Sequence, residues 1–344
     1  AGALQQAARG YANLHAMLTA GFAFPQADSC YLDAAKFCAD NDMVTFGLCL
    51  RASYAVSLSL RGRWDEAVGA CREVLQAEPS PFNRLEPTLV VGRVLARRSQ
   101  VEAWSLLDDA AHIADATGRP GLIADAHTAR AEAHWLRGDT GAAMADIDIG
   151  ARTAGATGPS MRSDLATWQR RLGMRVTVSL DDIPEPHAGS QATDSPSAAQ
   201  LWRERGIPYE AALALLDGGS DDELREALRR FDALGAVATA RLTRQRMRAR
   251  GMRAIPSGPQ PATRAHPAGL TRREREVLTL ICLAKTNSEI STELVVSPRT
   301  VDHHVSSLLG KMGVSSRAEA AEQAVRLRLV EDLPNRPAGE AGRR

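Results

Sequence analysis

Between Gly269 and Leu327 the apolar residues fall into four short groups at helical spacing, which confines the segment to four short helices around one small core. Thr271 opens the first helix as an N-cap, and Glu274, three residues on, completes a capping box. Val277, Leu278, Ile281 and Cys282 follow at helical spacing. Asn287 or Ser288 starts a second, shorter helix that buries Ile290 and Leu294. Ser297 and Pro298 begin the third as N-cap and first-turn proline, and Gly313 ends it.

In the third helix Val301, Val305, Leu308 and Met312 form one stripe, the face that a helix buries. Each buried side chain of this kind contributes roughly 1.5–3 kcal/mol, so the stripe anchors the helix to the other three. The opposite face carries Arg299, His303, Ser306, Ser307 and Gly310, with Asp302 and His304 at its edges. These residues are small or polar and can reach base edges and phosphates. The second and third helices then form a helix-turn-helix, which places its second helix in the major groove.

Read as LT-x-REREVL-x-LI, TN-x-EI, SPRTV-x-x-HV, LL-x-KMGV and R-x-EAA, the segment resembles the LuxR/FixJ-type DNA-binding domain. The resemblance implies that the third helix is a recognition helix whose Asp302, His303 and Ser306 touch bases. It places backbone contacts on Thr300, Lys311, Arg317 and Arg299. It further implies pairing through the alanine-rich fourth helix, Arg317 to Leu327, as a homodimer on double-stranded promoter DNA. One departure stands out: the family often has a basic residue where Asp302 and Ser306 stand.

The rest of the chain reads as almost all-α. Helix formers dominate, aromatics are scarce, and Arg175 to Leu180 is the nearest approach to a strand. No apolar run is long enough to cross a membrane, and no signal peptide is visible, so the expectation is a cytoplasmic protein. The first residue is Ala, which fits a processed chain or a piece of a longer one. Cys30, Cys38, Cys49, Cys71 and Cys282 lack C-x-x-C spacing and read as reduced core thiols, not metal ligands. His112, His127 and His134 form no H-E-x-x-H pair. Only Lys36, Lys285 and Lys311 are lysines among 42 basic residues, a bias that fits a GC-rich genome. The net charge of +1 is not that of a protein coating nucleic acid. Arg241, Arg244, Arg246, Arg248, Arg250, Arg253 and Arg264 nevertheless form a basic run without acidic residues. It reads as a solvated helix running into a linker, or as a stripe beside phosphates.

Upstream, Ala52 to Pro79 has Gly62, Trp64, Ala67 and Pro79 at the turn, aromatic, small-residue and closing positions of a tetratricopeptide repeat. Similar pairs run from about Thr88 to Ala116 with Ala103 packed, and from Leu122 to Thr153 with Gly138 and Ala143. Ala3 to Asn41 is a first, degenerate pair. Such arrays stack into a superhelix whose concave surface can take a peptide, a partner domain or a small ligand. Residues 1–175 are therefore read as a tetratricopeptide-like array and 176–200 as a linker or loop. Residues 201–250 are further helices of the array, 251–268 a Pro/Gly-rich linker, 269–330 the DNA-binding domain and 331–344 a tail. In this order the chain looks like the C-terminal portion of the large ATP-binding regulators of the LuxR family. It has no glycine-rich phosphate loop, since Gly310 and Lys311 are followed by Met312. Either a fragment or a shortened regulator fits. The reading is a sequence-specific transcription regulator without cofactor or catalytic step. A helical-repeat scaffold with secondary DNA binding is the alternative. An enzyme has no nucleophile–base pair, paired-carboxylate motif or metal site to support it.

Overall fold

The structure, a computed structural model, describes residues 2–183, 185, 187, 195–258, 268–327 and 329. Parts of the expected linkers (184, 186, 188–194, 259–267) and all of the expected tail 331–344 lie outside the described residues. The chain divides into two units, Ala1–Ile255 and Pro256–Arg344.

The first unit begins with helix pairs: α1 (Gly2–Ala20) and α2 (Phe24–Asp40), α3 (Val44–Leu60) and α4 (Trp64–Gln76), α5 (Pro81–Arg97) and α6 (Ala103–Thr117), α7 (Pro120–Arg137) and α8 (Thr140–Thr153). α9 (Pro159–Arg171) follows. Proline in the first turn starts α5, α7 and α9, where its missing N–H costs nothing. For the same reason α5 starts at Pro81, earlier than the spacing from Thr88 predicts. Ala67, Ala103 and Ala143 are fully buried, as helix pairs in close approach require. Gly92 does the same between α5 and α6, where a Cβ would come within 2.9 Å of the Leu107 side chain. Trp64 is buried, and its indole N–H donates to the Ser59 carbonyl at 3.1 Å.

Arg175–Leu180 forms no strand, and no strand occurs among the described residues. The segment has no partner strand; instead the Gln169 side chain takes the Thr177 N–H at 3.0 Å and donates to its hydroxyl at 2.8 Å.

Among the described residues α10 (Ser195–Glu204), α11 (Pro208–Gly218), α12 (Asp221–Leu234) and α13 (Val237–Ala249) follow. Ser220 and Glu223 form the expected capping box at the start of α12. These helices pack back across the earlier ones. Trp202 stands edge-on to Phe22, Tyr209 edge-on to Trp64, and α13 contacts α5 and α7. Gly62, at φ +79, leaves room for them, because a Cβ there would meet Leu234 at 2.8 Å and Pro208 at 3.0 Å. One buried ionic group ties the two sets together. Arg97 binds Glu132 through two hydrogen bonds of 2.8 and 3.0 Å, Tyr209 donates its hydroxyl to Glu132 at 2.7 Å, and the Arg97 guanidinium lies 3.8 Å from the Tyr209 ring centroid. Burial pushes the Glu132 carboxyl up, but Arg97 and the Tyr209 hydroxyl outweigh it and hold it below the usual range.

The basic run is in part a solvated face, since Arg241, Arg248, Arg250 and Arg253 are exposed, and in part tied into the unit. Arg241 donates to the Leu136 carbonyl and Ser99, Arg244 pairs with Asp232, Arg246 donates to the Leu216 carbonyl, and Arg250 lies 3.7 Å from Asp221. Arg264 lies outside the described residues.

The second unit has α14 (Arg272–Cys282), α15 (Asn287–Glu293), α16 (Pro298–Met312) and α17 (Arg317–Arg326). Helices this short are marginal alone, so the shared core must hold them. Leu270, Val277, Leu278, Ile281, Ile290, Ala320 and Ala324 supply that core together with the α16 stripe.

Candidate nucleic-acid interface

α16 sits as the periodicity predicts, with Val301 and Leu308 fully buried and Val305 and Met312 nearly so. Ser297 caps it by accepting from the Thr300 N–H at 3.1 Å, and the two hydroxyls are 2.8 Å apart. Gly313 closes it in the left-handed conformation, at φ 65.

On the outward side Arg299, Asp302, His303, Ser306 and Gly310 are exposed, and Thr300 and His304 are half-buried. Arg299, His303 and Ser306 make no hydrogen bond or ion pair among the described residues, so their donors and acceptors are available to a ligand. Ser307 is different. It is half-buried and donates to Glu274 at 2.6 Å, so it belongs to the inner side of the helix.

Glu274 is the fixed point of the unit. Its carboxylate closes the capping box of α14 by accepting from the Thr271 N–H at 2.7 Å. The same carboxylate receives the Lys311 ammonium at 2.9 and 2.6 Å. Only 3% of Glu274 is exposed. Burial alone would raise its pKa, yet the donors from Lys311, Ser307 and Thr271 prevail and bring it down to about 2. Lys311 is thus an internal partner that locks the C-terminal half of α16 to the start of α14.

A second polar relay holds the N-terminal half. The Asn287 amide, at the start of α15, donates to Asp302 on α16 and accepts from Arg317 at the start of α17. Arg317 also donates to the Lys285 carbonyl. Asp302 therefore reaches sideways to α15, and Arg317 is half-buried against the loop before it. Thr286 is the N-cap of α15, with a full capping box to Glu289. The T-x-x-E signal of that box stands in the sequence, one residue before the helix start at Asn287. Sequence reasoning missed Asn287 as a bracket and Glu274 as more than a cap, because their partners lie 15 to 37 residues away.

Residues 268–324 match the family model of bacterial regulatory proteins, luxR family. Over 58 residues the chain is 43% identical to the spore germination protein GerE of Bacillus subtilis, covering 78% of that protein and 17% of this chain. The chain belongs to the luxR family. It is also 50% identical over 60 residues to an uncharacterized transcriptional regulatory protein of Bacillus subtilis, YhcZ, covering 17% of this chain and 28% of that one. Similarity to the putative HTH-type transcriptional regulator Rv0890c of Mycobacterium tuberculosis extends beyond the family domain, with 27% identity over 274 residues. It covers 76% of this chain and 28% of that protein. The chain therefore spans less than a third of the length of these two relatives. No solved structure matches the chain. Among the described residues no helix is long and apolar enough to cross a membrane, and no cluster of three or more His, Cys, Asp or Glu could hold a metal ion.

Proposed function

We propose that the chain is a cytoplasmic, sequence-specific DNA-binding transcription regulator. α16 enters the major groove of promoter DNA, and the first unit receives the controlling signal or partner. The observation that carries this reading is the outward face of α16: Arg299, His303 and Ser306 stand exposed and unengaged on a helix whose other side is fixed in the core. Relatives named as transcriptional regulators point the same way.

In this reading His303 and Ser306 read base edges, and Arg299 and Thr300 meet phosphates. Arg317 keeps its net charge, because Asn287 and the Lys285 carbonyl are neutral, and it faces the backbone as well. Lys311 acts by holding α16 through Glu274. Asp302 positions the first turn of α16 through Asn287. Two copies pair through α17, where Val325 is 59% exposed, and read half-sites roughly 34 Å apart. The reading contains no catalytic step and no nucleotide. Selection of bound fragments from a random DNA pool tests it. One enriched sequence is expected, with a preference at a single base pair altered by His303→Ala. A pool that stays random after selection refutes it.

A further inference from the structure

Where α13 meets α5, α6 and α7, the first unit has a half-open surface pocket of about 310 Å³, with Arg137 and Arg241 exposed at its rim. That volume lies at the lower end for small-molecule sites, which span roughly 300–1,000 Å³, so an occupant must be compact. Ala96, Ala133, Leu136 and Ala238 give it apolar surface. Trp104, half-buried, adds an aromatic wall, and the Arg137 guanidinium stands 4.7 Å from its ring centroid. α13 contributes Arg241, which donates to the Ser99 hydroxyl and the Leu136 carbonyl, each at 3.2 Å.

The charges do not balance. No acidic residue lines the pocket, and neither Arg137 nor Arg241 has a carboxylate partner among the described residues. Nearby arginines behave otherwise: Arg97 pairs with Glu132, Arg98 with Asp65, Arg130 with Asp108 and Arg244 with Asp232. A guanidinium carries five N–H donors in a planar fork suited to a carboxylate, and the bonds that Arg241 makes leave donors over. An indole with a guanidinium above it is also a platform for a planar ring.

We infer that this pocket binds a compact aromatic carboxylate, its ring against Trp104 and its charge held by Arg137 and Arg241. The inference deepens the reading that the first unit receives a signal, and its regulatory meaning rests on that reading. Arg241 lies on α13, the last helix of the first unit among the described residues, so the ligand touches an element close to the connection to the second unit.

Calorimetric titration of the full chain with 2-naphthoate, in the absence of DNA, tests the site. Saturable binding at one site per chain is expected, with a change in tryptophan fluorescence. Arg137→Gln and Arg241→Gln should each weaken it about tenfold or more, the loss expected for a charge-assisted hydrogen bond. The neutral analogue 2-naphthalenemethanol should bind weaker by a similar factor. Arg137 makes no hydrogen bond among the described residues, so Arg137→Gln keeps the test open should Arg241→Gln lose the fold. No binding of 2-naphthoate at millimolar concentration overturns the inference. So does binding that is equal in the arginine variants, or equal for the neutral analogue. Because no DNA is present, failure here is separate from failure of the selection experiment.

Discussion

Glu274→Gln isolates the charge that locks α16 to the start of α14. Glutamine at the third helical position can still close a capping box with its amide oxygen accepting from the Thr271 N–H, and its NH2 can donate to the Ser307 hydroxyl in a reversed bond, so the start of α14 survives. What disappears is the carboxylate that Lys311 binds at 2.6 Å. The size of the effect follows from the carboxyl, which sits at about 2 instead of the ordinary 4.5. At about 1.36 kcal/mol per pH unit, that gap corresponds to about 3 kcal/mol. Lys311 keeps 36% of its side chain exposed and can return to water in the variant, so the expected loss at pH 7 is about 2–3 kcal/mol. The sign is set by a folded-state pKa below the unfolded one. The stabilisation is fully present above pH 4.5 and is lost as pH falls towards 2. Urea unfolding of a fragment beginning at Pro256, followed by far-UV circular dichroism, measures it. The difference between wild type and variant should be largest at neutral pH and shrink steadily below pH 4.5. A variant as stable as wild type at pH 7, or a deficit that does not change on acidification, refutes the reasoning.

Tyr209→Phe removes the hydroxyl that reaches buried Glu132 and should cost the first unit about 1–3 kcal/mol. Trp64, Trp104, Trp135, Trp168 and Trp202 all lie in that unit, so tryptophan fluorescence during urea unfolding of the full chain reports it alone. For His127, burial lowers the pKa, but hydrogen bonds with Asp146 and Asp115 raise it above the ordinary value overall. Its contribution is therefore complete below pH 6.5 and fades as pH rises through the raised value. His127→Asn should lower the melting temperature more at pH 6 than at pH 9, and an equal drop at both would count against the pairing. Val295 stands 88% exposed in the turn between α15 and α16 with φ 53, a conformation strained for a β-branched residue. Val295→Gly should stabilise the second unit by about 1 kcal/mol, measured by thermal melting of the same fragment.

Features that act over one or two helical turns were legible in the sequence. Thr271 with Glu274 and Ser220 with Glu223 cap as read, and the stripe from Val301 to Met312 is buried as read. Ala67, Ala103 and Ala143 are buried between helices for the same reason. What stayed hidden depends on partners far along the chain. Nothing local distinguishes Arg317, held by Asn287, from a cation free for phosphates. Tyr209 meets a carboxylate 77 residues away, where α10–α13 pack back across the earlier helices. The basic run from Arg241 shows the same limit, since Arg241, Arg248, Arg250 and Arg253 are exposed as a solvated helix would have them, while Arg244 is 8% exposed and paired with Asp232, 12 residues away.

The two polar brackets have a consequence for how such a helix would treat DNA. Affinity for any sequence comes from cations that neutralise phosphates, with a salt slope of about −0.9 for each. Lys311 is cancelled by Glu274, whereas Arg317 is held only by neutral groups and keeps its charge. Asp302 adds a negative charge beside the outward face of α16, linked to Arg317 through the Asn287 amide. Few uncompensated charges then remain on the face itself, chiefly Arg299. On the proposed reading, a domain built this way would gain little from phosphates alone and would depend on the fit of His303 and Ser306 to bases. That dependence in turn requires α16 to be held at a fixed angle, which is what Glu274 does from one end of the helix and Asn287 from the other. On that reading charge would serve to aim the helix more than to attract DNA, which would favour discrimination between sequences over general adhesion.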